Sequence, residues 1–374
     1  MIDVLDAPAQ LEDGDPGGML RAVASAAAQV REAAALAVEA GVDRLRGEDR
    51  PRAVVTLGMG GSGIAGDILA AVAGISCPVP IVSHRGHDVP VWVGAADLVV
   101  AVSCSGTTEE TLSALEEAAR RGCRLLVVGA AGSPLEALGS RGRGIFVPVS
   151  QGRQPRASVF GLTTPLVIAG DALGLLSCSR EEVEATAVLL EQLAGRHRPD
   201  AETVLNPSKT LALSLSGMLP VVWGTSALAG VAAYRFACQL NENSKHPAVW
   251  GVLPESGHNQ VVAFDGPFAG GQRSSDIFAD PDEDEQERTR MHLVLLRDSE
   301  EQPSVARRAS VVRDLARSRR VDVSELVAEG SSAFQRVASL IALGDWTSTY
   351  LALAEGLDPT PVEAINELKA SLHR

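Results

Sequence analysis

Two stretches of this sequence gather residues that can hold an anion without carrying charge. The first, TLGMGGSGIAGD (56–67), contains Gly58-x-Gly60-x-x-Gly63, with Gly61 and Ser62 inside it. Glycines between a strand and a helix let the backbone approach a phosphate, and the first N–H groups of the helix point at it. The second, VAVSCSGTTEET (100–111), places Ser103, Ser105, Thr107 and Thr108 around Gly106 at a helix start. One N-cap needs one hydroxyl. Hydroxyls beyond that need, together with Gly106, make an uncharged cradle for a phosphate dianion. The glycine spacing alone also fits a dinucleotide turn or a plain tight turn. A dinucleotide site requires an acidic residue near the end of the next strand to hold the ribose. Ser83, His84 and Arg85 stand there instead.

Other residues could move protons or stabilise charge. Glu242 in QLNENSKHP is flanked by Asn241 and Asn243, with Lys245 close by. Polar neighbours can orient a carboxylate and a cation can keep it ionised; the same residues also suit a solvated helix end before Pro247. His258 in PESGHNQ carries a side chain that gives and takes protons near neutral pH. Glu255 lies close enough in sequence to orient its imidazole. Arg156 in QPRASVFGL is a cation that can stabilise a phosphate or a developing enediolate. Lys369 in NELKASL reads, by itself, as a surface charge. Thr360 lies between two prolines and reads as an N-cap with Pro361 at the first helical position.

These residues need elements to hold them. Short β-branched runs lie at 53–58, 79–83, 98–102, 124–129 and 144–149, separated by helical stretches such as 107–121. Continuous apolar strands alternating with helices imply a parallel sheet covered on both faces. Met19 to Ala40 reads as one Ala-rich helix closed by Gly41. The polar stretch RHRPDAE (196–202) reads as a joint. The pattern then restarts with a helix at 208–217 and strands at 219–224, 247–253, 260–264 and 291–296. A helix near 304–319, a strand near 324–328, a long helix at 333–355 and a short one at 361–372 follow. The fold class is therefore α/β with two successive units of similar architecture. The expected organisation is an N-terminal helical extension at 1–45, a first domain at 46–195 and a second at 203–374. The acidic run SSDIFADPDEDEQER (274–288) reads as a solvated loop.

Composition bounds the function classes. With 374 residues there is material for two cored domains. The net charge of −14 argues against a nucleic-acid groove and against an anionic membrane surface. Five scattered cysteines contain no Cys-x-x-Cys pair and suit a reducing cytosol, so a cytoplasmic location is expected. The most apolar window, 159–176, is interrupted by Asp171 and two threonines and makes a poor membrane span.

Taken together, GMGGSGIAGD, SCSGTTEET, PRASVFGL, NPSKTLA, NENSKHPA, LPESGHNQVV and DPTPVEAINELK, in that order from about residue 50 to the end, resemble the bifunctional phosphoglucose/phosphomannose isomerases of the sugar isomerase (SIS) superfamily. The resemblance implies two SIS-type domains, each a parallel β-sheet flanked by helices. It implies interconversion of fructose 6-phosphate with glucose 6-phosphate and mannose 6-phosphate through a cis-enediol(ate), with no cofactor and no metal. It makes Glu242 the proton-transfer base and His258 the ring-opening group, delivered from the neighbouring subunit of a homodimer. Lys369 assists ring opening and Arg156 stabilises charge. Gly60, Gly61, Ser62, Ser103, Ser105, Thr107 and Thr108 form the hexose 6-phosphate site. A small residue at Thr360 leaves room for either configuration at C2. The sequence departs from the family pattern at Thr107, where Asn is common, at Cys104, where an aromatic is usual, and at Gln260, where Glu is common. Two rival readings are a non-catalytic sugar-phosphate sensor and a dinucleotide-dependent dehydrogenase. The first is disfavoured by the presence of Glu242, His258 and Lys369, the second by the missing ribose acid.

Overall fold

Apolar runs without polar alternation can be stable only where both faces of a sheet are covered, and the central strands of this protein form at such runs. The computed structural model describes residues 1–270 and 289–372; the acidic run at 274–288 lies outside them. The chain forms two compact units, one of Ala22–Leu193 with Gly330–Ser339, the other of Met1–Arg21, Ala194–Glu329 and Leu340–Arg374.

In the first unit β1 (Val54–Leu57), β2 (Ile81–His84), β3 (Leu98–Ser103), β4 (Arg124–Gly129) and β5 (Ile145–Pro148) form one parallel sheet in the order β2-β1-β3-β4-β5. Every residue of β3 is buried. Alternate residues feed two cores. Val54, Leu98, Val100 and Val102 pack with Ala37, Ala65, Leu69 and Leu166 from helices Ala26–Glu39, Gly60–Ala73 and Val159–Ala172. Val55, Leu57, Val99 and Ala101 pack with Ala114, Leu115, Ala118 and Leu135 from helices Glu109–Arg120 and Pro134–Arg141. Each fully buried Val or Leu contributes about 1.5–3 kcal/mol. No helix separates β2 from β3. Residues 85–97 cross as a loop, and Val89 and Val93 plug the space a helix would fill. The helix expected over 19–40 is broken at Ser25, whose hydroxyl donates to Ala22 O at 2.7 Å, giving Met19–Ala24 and Ala26–Glu39. Gly41 ends the second piece in the left-handed region, at φ 82°.

The second unit has β6 (Leu219–Gly224), β7 (Val249–Val252), β8 (Met291–Arg297) and β9 (Asp322–Val327), all parallel, in the order β7-β6-β8-β9. Two sequence expectations fail here. Residues 260–264, read as a strand, lie in the 3-10 helix Gln260–Asp265. In it Phe264 is buried against Trp223, with ring centroids 5.6 Å apart, while Val262 is 66% exposed, which is not the burial of a core strand. Thr360 does not cap the last helix, which begins two residues beyond Pro361 as Glu363–Leu372. Its side chain packs against Gly17 instead.

Buried polar groups organise this unit. Asn206 caps helix Pro207–Leu215 by accepting from Ser208 N and Lys209 N at 3.1 and 3.2 Å. Lys209 is fully buried. Its ammonium donates to the carbonyls of Leu5, Pro199 and Ala201 at 2.5, 2.7 and 2.8 Å. Asp6 accepts from Thr203 N and Oγ1, both at 2.7 Å. These bonds tie the N-terminal helix Ile2–Leu5 to the unit. Arg235 and Asp345 form a buried bidentate pair at 3.0 and 2.7 Å.

His197 lies in the same interior. Its Nδ1 is 2.9 Å from Ser208 Oγ, its ring stacks on Trp346, and burial pulls its pKa down to about 4. The unfolded chain therefore binds the proton between about pH 6.5 and 4 while the folded chain does not, so stability rises with pH across that window. The full effect is about 3 kcal/mol, present above the window and lost below it. Denaturant titrations at a series of pH values should show the wild type losing stability toward pH 4 more steeply than His197→Gln, by about 1.4 kcal/mol per pH unit at most. Parallel pH profiles would contradict this account.

Candidate active site

The order of the first sheet dictates where a ligand can sit. The helix that follows β1, Gly60–Ala73, packs on one face, and the helix that follows β3, Glu109–Arg120, packs on the other. Where successive connections part to opposite faces, a crevice opens at the carboxyl ends of the two strands. Both sequence-predicted loops lie there. The 58–63 turn leaves β1 and the 103–108 loop leaves β3.

The glycines of the first loop are explained by close approach. A side chain at Gly63 would fall 2.7 Å from Gly58 O, so the helix starts directly against the strand end. Gly61 runs against the backbone of Arg156, with Arg156 Cα 3.4 Å from where its Cβ would be. Ser62 Oγ accepts from Cys104 N at 3.1 Å and so joins the first loop to the second.

The second loop is folded by its own hydroxyls. Ser103 is buried, with Oγ 2.9 Å from Thr108 Oγ1 and accepting from Gly106 N at 3.1 Å. Gly106 takes φ 69°, and a Cβ there would meet Ser133 Oγ at 2.2 Å and Ser133 Cβ at 2.3 Å. Ser105 and Thr107 are exposed; Ser105 Oγ accepts from Thr107 N and Oγ1 at 3.3 and 3.0 Å. Thr108 stands at the N-cap of Glu109–Arg120, yet no side chain caps that helix. The loop's hydroxyls are therefore not consumed as caps. Arg156 is buried in the 3-10 helix Pro155–Ala157. The first unit thus brings together Gly60, Gly61, Ser62, Ser103, Ser105, Thr107, Thr108 and Arg156. Where a ribose acid would stand, Arg85 pairs with Asp67.

The corresponding loops of the second unit are different. After β6, Ser226 spends its hydroxyl capping helix Ala227–Glu242, accepting from Ala229 N at 3.1 Å. After β8 the chain reads Arg297-Asp298-Ser299-Glu300-Glu301, and Glu301 pairs with Arg297. That acidic loop is unsuited to a phosphate.

Glu242, His258 and Lys369 lie in the second unit on separate elements, and no hydrogen bond among the described residues joins them to one another. Glu242 is half-buried at the last position of Ala227–Glu242. Lys245 donates to Glu242 O, Asn243 O and Pro361 O at 2.8, 3.2 and 2.8 Å, so its ammonium fixes the carbonyl end of this helix. Asn243 donates to Ser348 Oγ at 3.0 Å. His258 is exposed at the end of the 3-10 helix Glu255–His258. Glu255, expected beside the imidazole, instead accepts from Asn259 Nδ2 at 2.8 Å. Lys369 is exposed on Glu363–Leu372, a helix with no buried residue.

Gln260 has a local reason. Its Oε1 accepts from the buried Trp223 Nε1 at 2.7 Å, and its Nε2 donates to Trp250 O at 3.1 Å. A glutamate could supply the first bond and not the second. Sequence reasoning missed the supporting residues: Ser133, which backs Gly106, and Asn206 and Lys209, whose motif is a scaffold. An Asn-Pro pair at a helix start was the available signal for the Asn206 cap.

Comparison with known proteins shows the family and the fold. Residues 205–372 match the family described as the bacterial phospho-glucose isomerase C-terminal SIS domain. A bifunctional phosphoglucose/phosphomannose isomerase of Caldicellulosiruptor bescii is 33% identical over 328 residues, covering 88% of this chain and 91% of that protein. One from Aquifex aeolicus is 30% identical over 324 residues, covering 86% and 91%. A hypothetical protein from Thermus thermophilus has the same fold, with a TM-score of 0.72 at 16% identity over 100% of this chain and 94% of that one. The chain belongs to the bifunctional phosphoglucose/phosphomannose isomerase family.

Proposed function

We propose that this protein is an aldose–ketose isomerase that interconverts fructose 6-phosphate with glucose 6-phosphate and mannose 6-phosphate through a cis-enediol(ate). The observation that carries the reading is the Ser62–Cys104 hydrogen bond, which fuses the glycine turn and the hydroxyl loop into one wall at the carboxyl ends of β1 and β3. Backbone N–H groups at two helix starts and the hydroxyls of Ser105, Thr107 and Thr108 hold the phosphate there. In the same reading the two SIS domains span 46–195 and 203–374.

The reaction moves one hydrogen between adjacent carbons. Glu242 takes the proton from C1 of the open-chain ketose, leaving the enediolate; the O1 hydroxyl gives up its proton as O2 gains one, and Glu242 returns its own proton to C2, forming the C1 aldehyde. Arg156 stabilises the oxyanion that forms. His258, supplied by the partner subunit of a homodimer, and Lys369 exchange protons with the ring oxygen and the anomeric hydroxyl to open the ring. The exposure of His258 and its freedom from hydrogen bonds among the described residues of its own chain support delivery across an interface. Thr360 leaves space for either configuration at C2. The protein works in the cytoplasm.

Three measurements test this reading. The protein incubated with fructose 6-phosphate, without nucleotide or added metal, should yield both aldose 6-phosphates; binding without either product would make it a sensor. Glu242→Gln should bind the sugar phosphate normally and lose turnover by about 10²–10⁴-fold. Full activity in that variant would remove Glu242 from the mechanism. Gly106→Ala probes the phosphate loop. Rotating the Ser133 hydroxyl does not relieve the clash, because Ser133 Cβ is also 2.3 Å away. The loop must shift, at a cost of about 1–3 kcal/mol in stability, and KM for fructose 6-phosphate should rise about tenfold. An unchanged KM would exclude this loop as the phosphate site.

A further inference from the structure

The N-terminal segment has no part in the chemistry proposed above, yet one of its turns reaches a residue that does. Asp15 is buried, and its two carboxylate oxygens accept from Met19 N and Leu20 N, both at 2.7 Å. Gly18 completes the turn at φ 69°, donating its N–H to Asp15 O at 2.9 Å. Gly17 lies directly against Thr360. A Cβ on Gly17 would fall 2.2 Å from Thr360 Oγ1, 2.5 Å from Thr360 Cβ and 2.6 Å from Thr360 Cγ2. No side chain can approach another so closely, so only glycine at 17 leaves Thr360 where it is.

The contacts continue beyond Thr360. Its N–H donates to Asp358 Oδ1 at 2.8 Å. The carbonyl of Pro361 accepts from Lys245 Nζ at 2.8 Å, and the same ammonium donates to Glu242 O at 2.8 Å. A continuous run of contacts within the second unit thus leads from the 15–18 turn, through Thr360 and Pro361, to the end of the helix that carries Glu242.

We infer that the 15–18 turn is a positioning element of the isomerase site: Gly17 sets Thr360, and the 358–361 segment, through Lys245, sets the end of the Glu242 helix. The inference rests on the roles proposed above for Glu242 and Thr360. Gly17 and Asp15 touch no substrate in this scheme, so their effect must appear in how the site is shaped rather than in how tightly phosphate is held.

The experiment measures initial rates of glucose 6-phosphate and mannose 6-phosphate formation from fructose 6-phosphate. The ratio of the two rates is independent of how much enzyme is folded. In Gly17→Ala the added methyl displaces Thr360. Turnover should fall roughly tenfold, KM should stay within about twofold, and the product ratio should shift by about twofold or more. Asp15→Asn adds no volume but sets an amide N–H₂ against one of the two backbone N–H groups, loosening the same turn. It should move the ratio in the same direction, and it decides the matter if Gly17→Ala does not fold. Gly47→Ala, at a glycine with nothing within 4 Å of the new methyl, serves as the control and should leave both numbers unchanged. A wild type that forms neither aldose overturns the isomerase reading and this inference with it. An active wild type whose folded Gly17→Ala and Asp15→Asn variants keep its turnover and product ratio overturns the inference alone.

Discussion

A parallel sheet cannot be wound without long returns, and the face each return takes decides where the molecule can bind anything. In the first unit the returns after β1 and β3 go to opposite faces, and the gap between them is the feature the sheet itself supplies. Everything else there refines that gap. Glycines bring the helix start onto the strand, and Ser62 ties the two loops with one hydrogen bond. Ser103 and Ser133 hold the second loop in its conformation. The second unit repeats the strand order of the first four strands' counterparts, but a capping serine follows β6 and an acidic run follows β8. Fold repetition therefore did not carry site repetition with it.

The polar interior of the second unit follows a different logic. Lys209, Asn206, His197, Arg235 and Asp345 are buried, and each is matched by a partner within hydrogen-bonding distance. A buried polar group without a partner is costly, so such networks restrict the packing to one arrangement. Here Lys209, with the Asp6–Thr203 bonds beside it, ties the N-terminal helix to helical segments far along the chain. Separately, the exposed Lys245 fixes the end of the Glu242 helix by bonds to main-chain carbonyls.

Much of this was readable in the residues. All nine strands of the described residues were anticipated; β1, β3, β4, β6 and β8 are buried nearly throughout and leave an apolar signature, while edge strands such as β2, β7 and β9 are only partly covered and read less cleanly. The two loops at the carboxyl ends of β1 and β3 were legible from glycine and hydroxyl spacing. The run at 260–264 misled because an apolar five-residue window does not distinguish strand from 3-10 helix; a side-chain bond from Trp223 to Gln260 decided it. The helix break at Ser25 and the position of Thr360 outside the last helix depend on single hydrogen bonds and on a contact with Gly17, neither of which has periodicity. Glu255, read as a neighbour of the imidazole, has one oxygen bonded to Asn259. The composition of NPSKTLA held its capping signal, but nothing in it disclosed that Lys209 would be fully enclosed.

The amide at position 260 has a bearing on how this sequence can drift. It accepts from one indole and donates to the carbonyl of another tryptophan on the edge strand β7, two demands of opposite sense met by one side chain. A carboxylate introduced there would face the Trp250 carbonyl oxygen with no hydrogen to offer it. That carbonyl belongs to the main chain and is there whatever residue stands at 250, so an acid at 260 would leave it to solvent, on the exposed side of the bond, while the indole kept its acceptor.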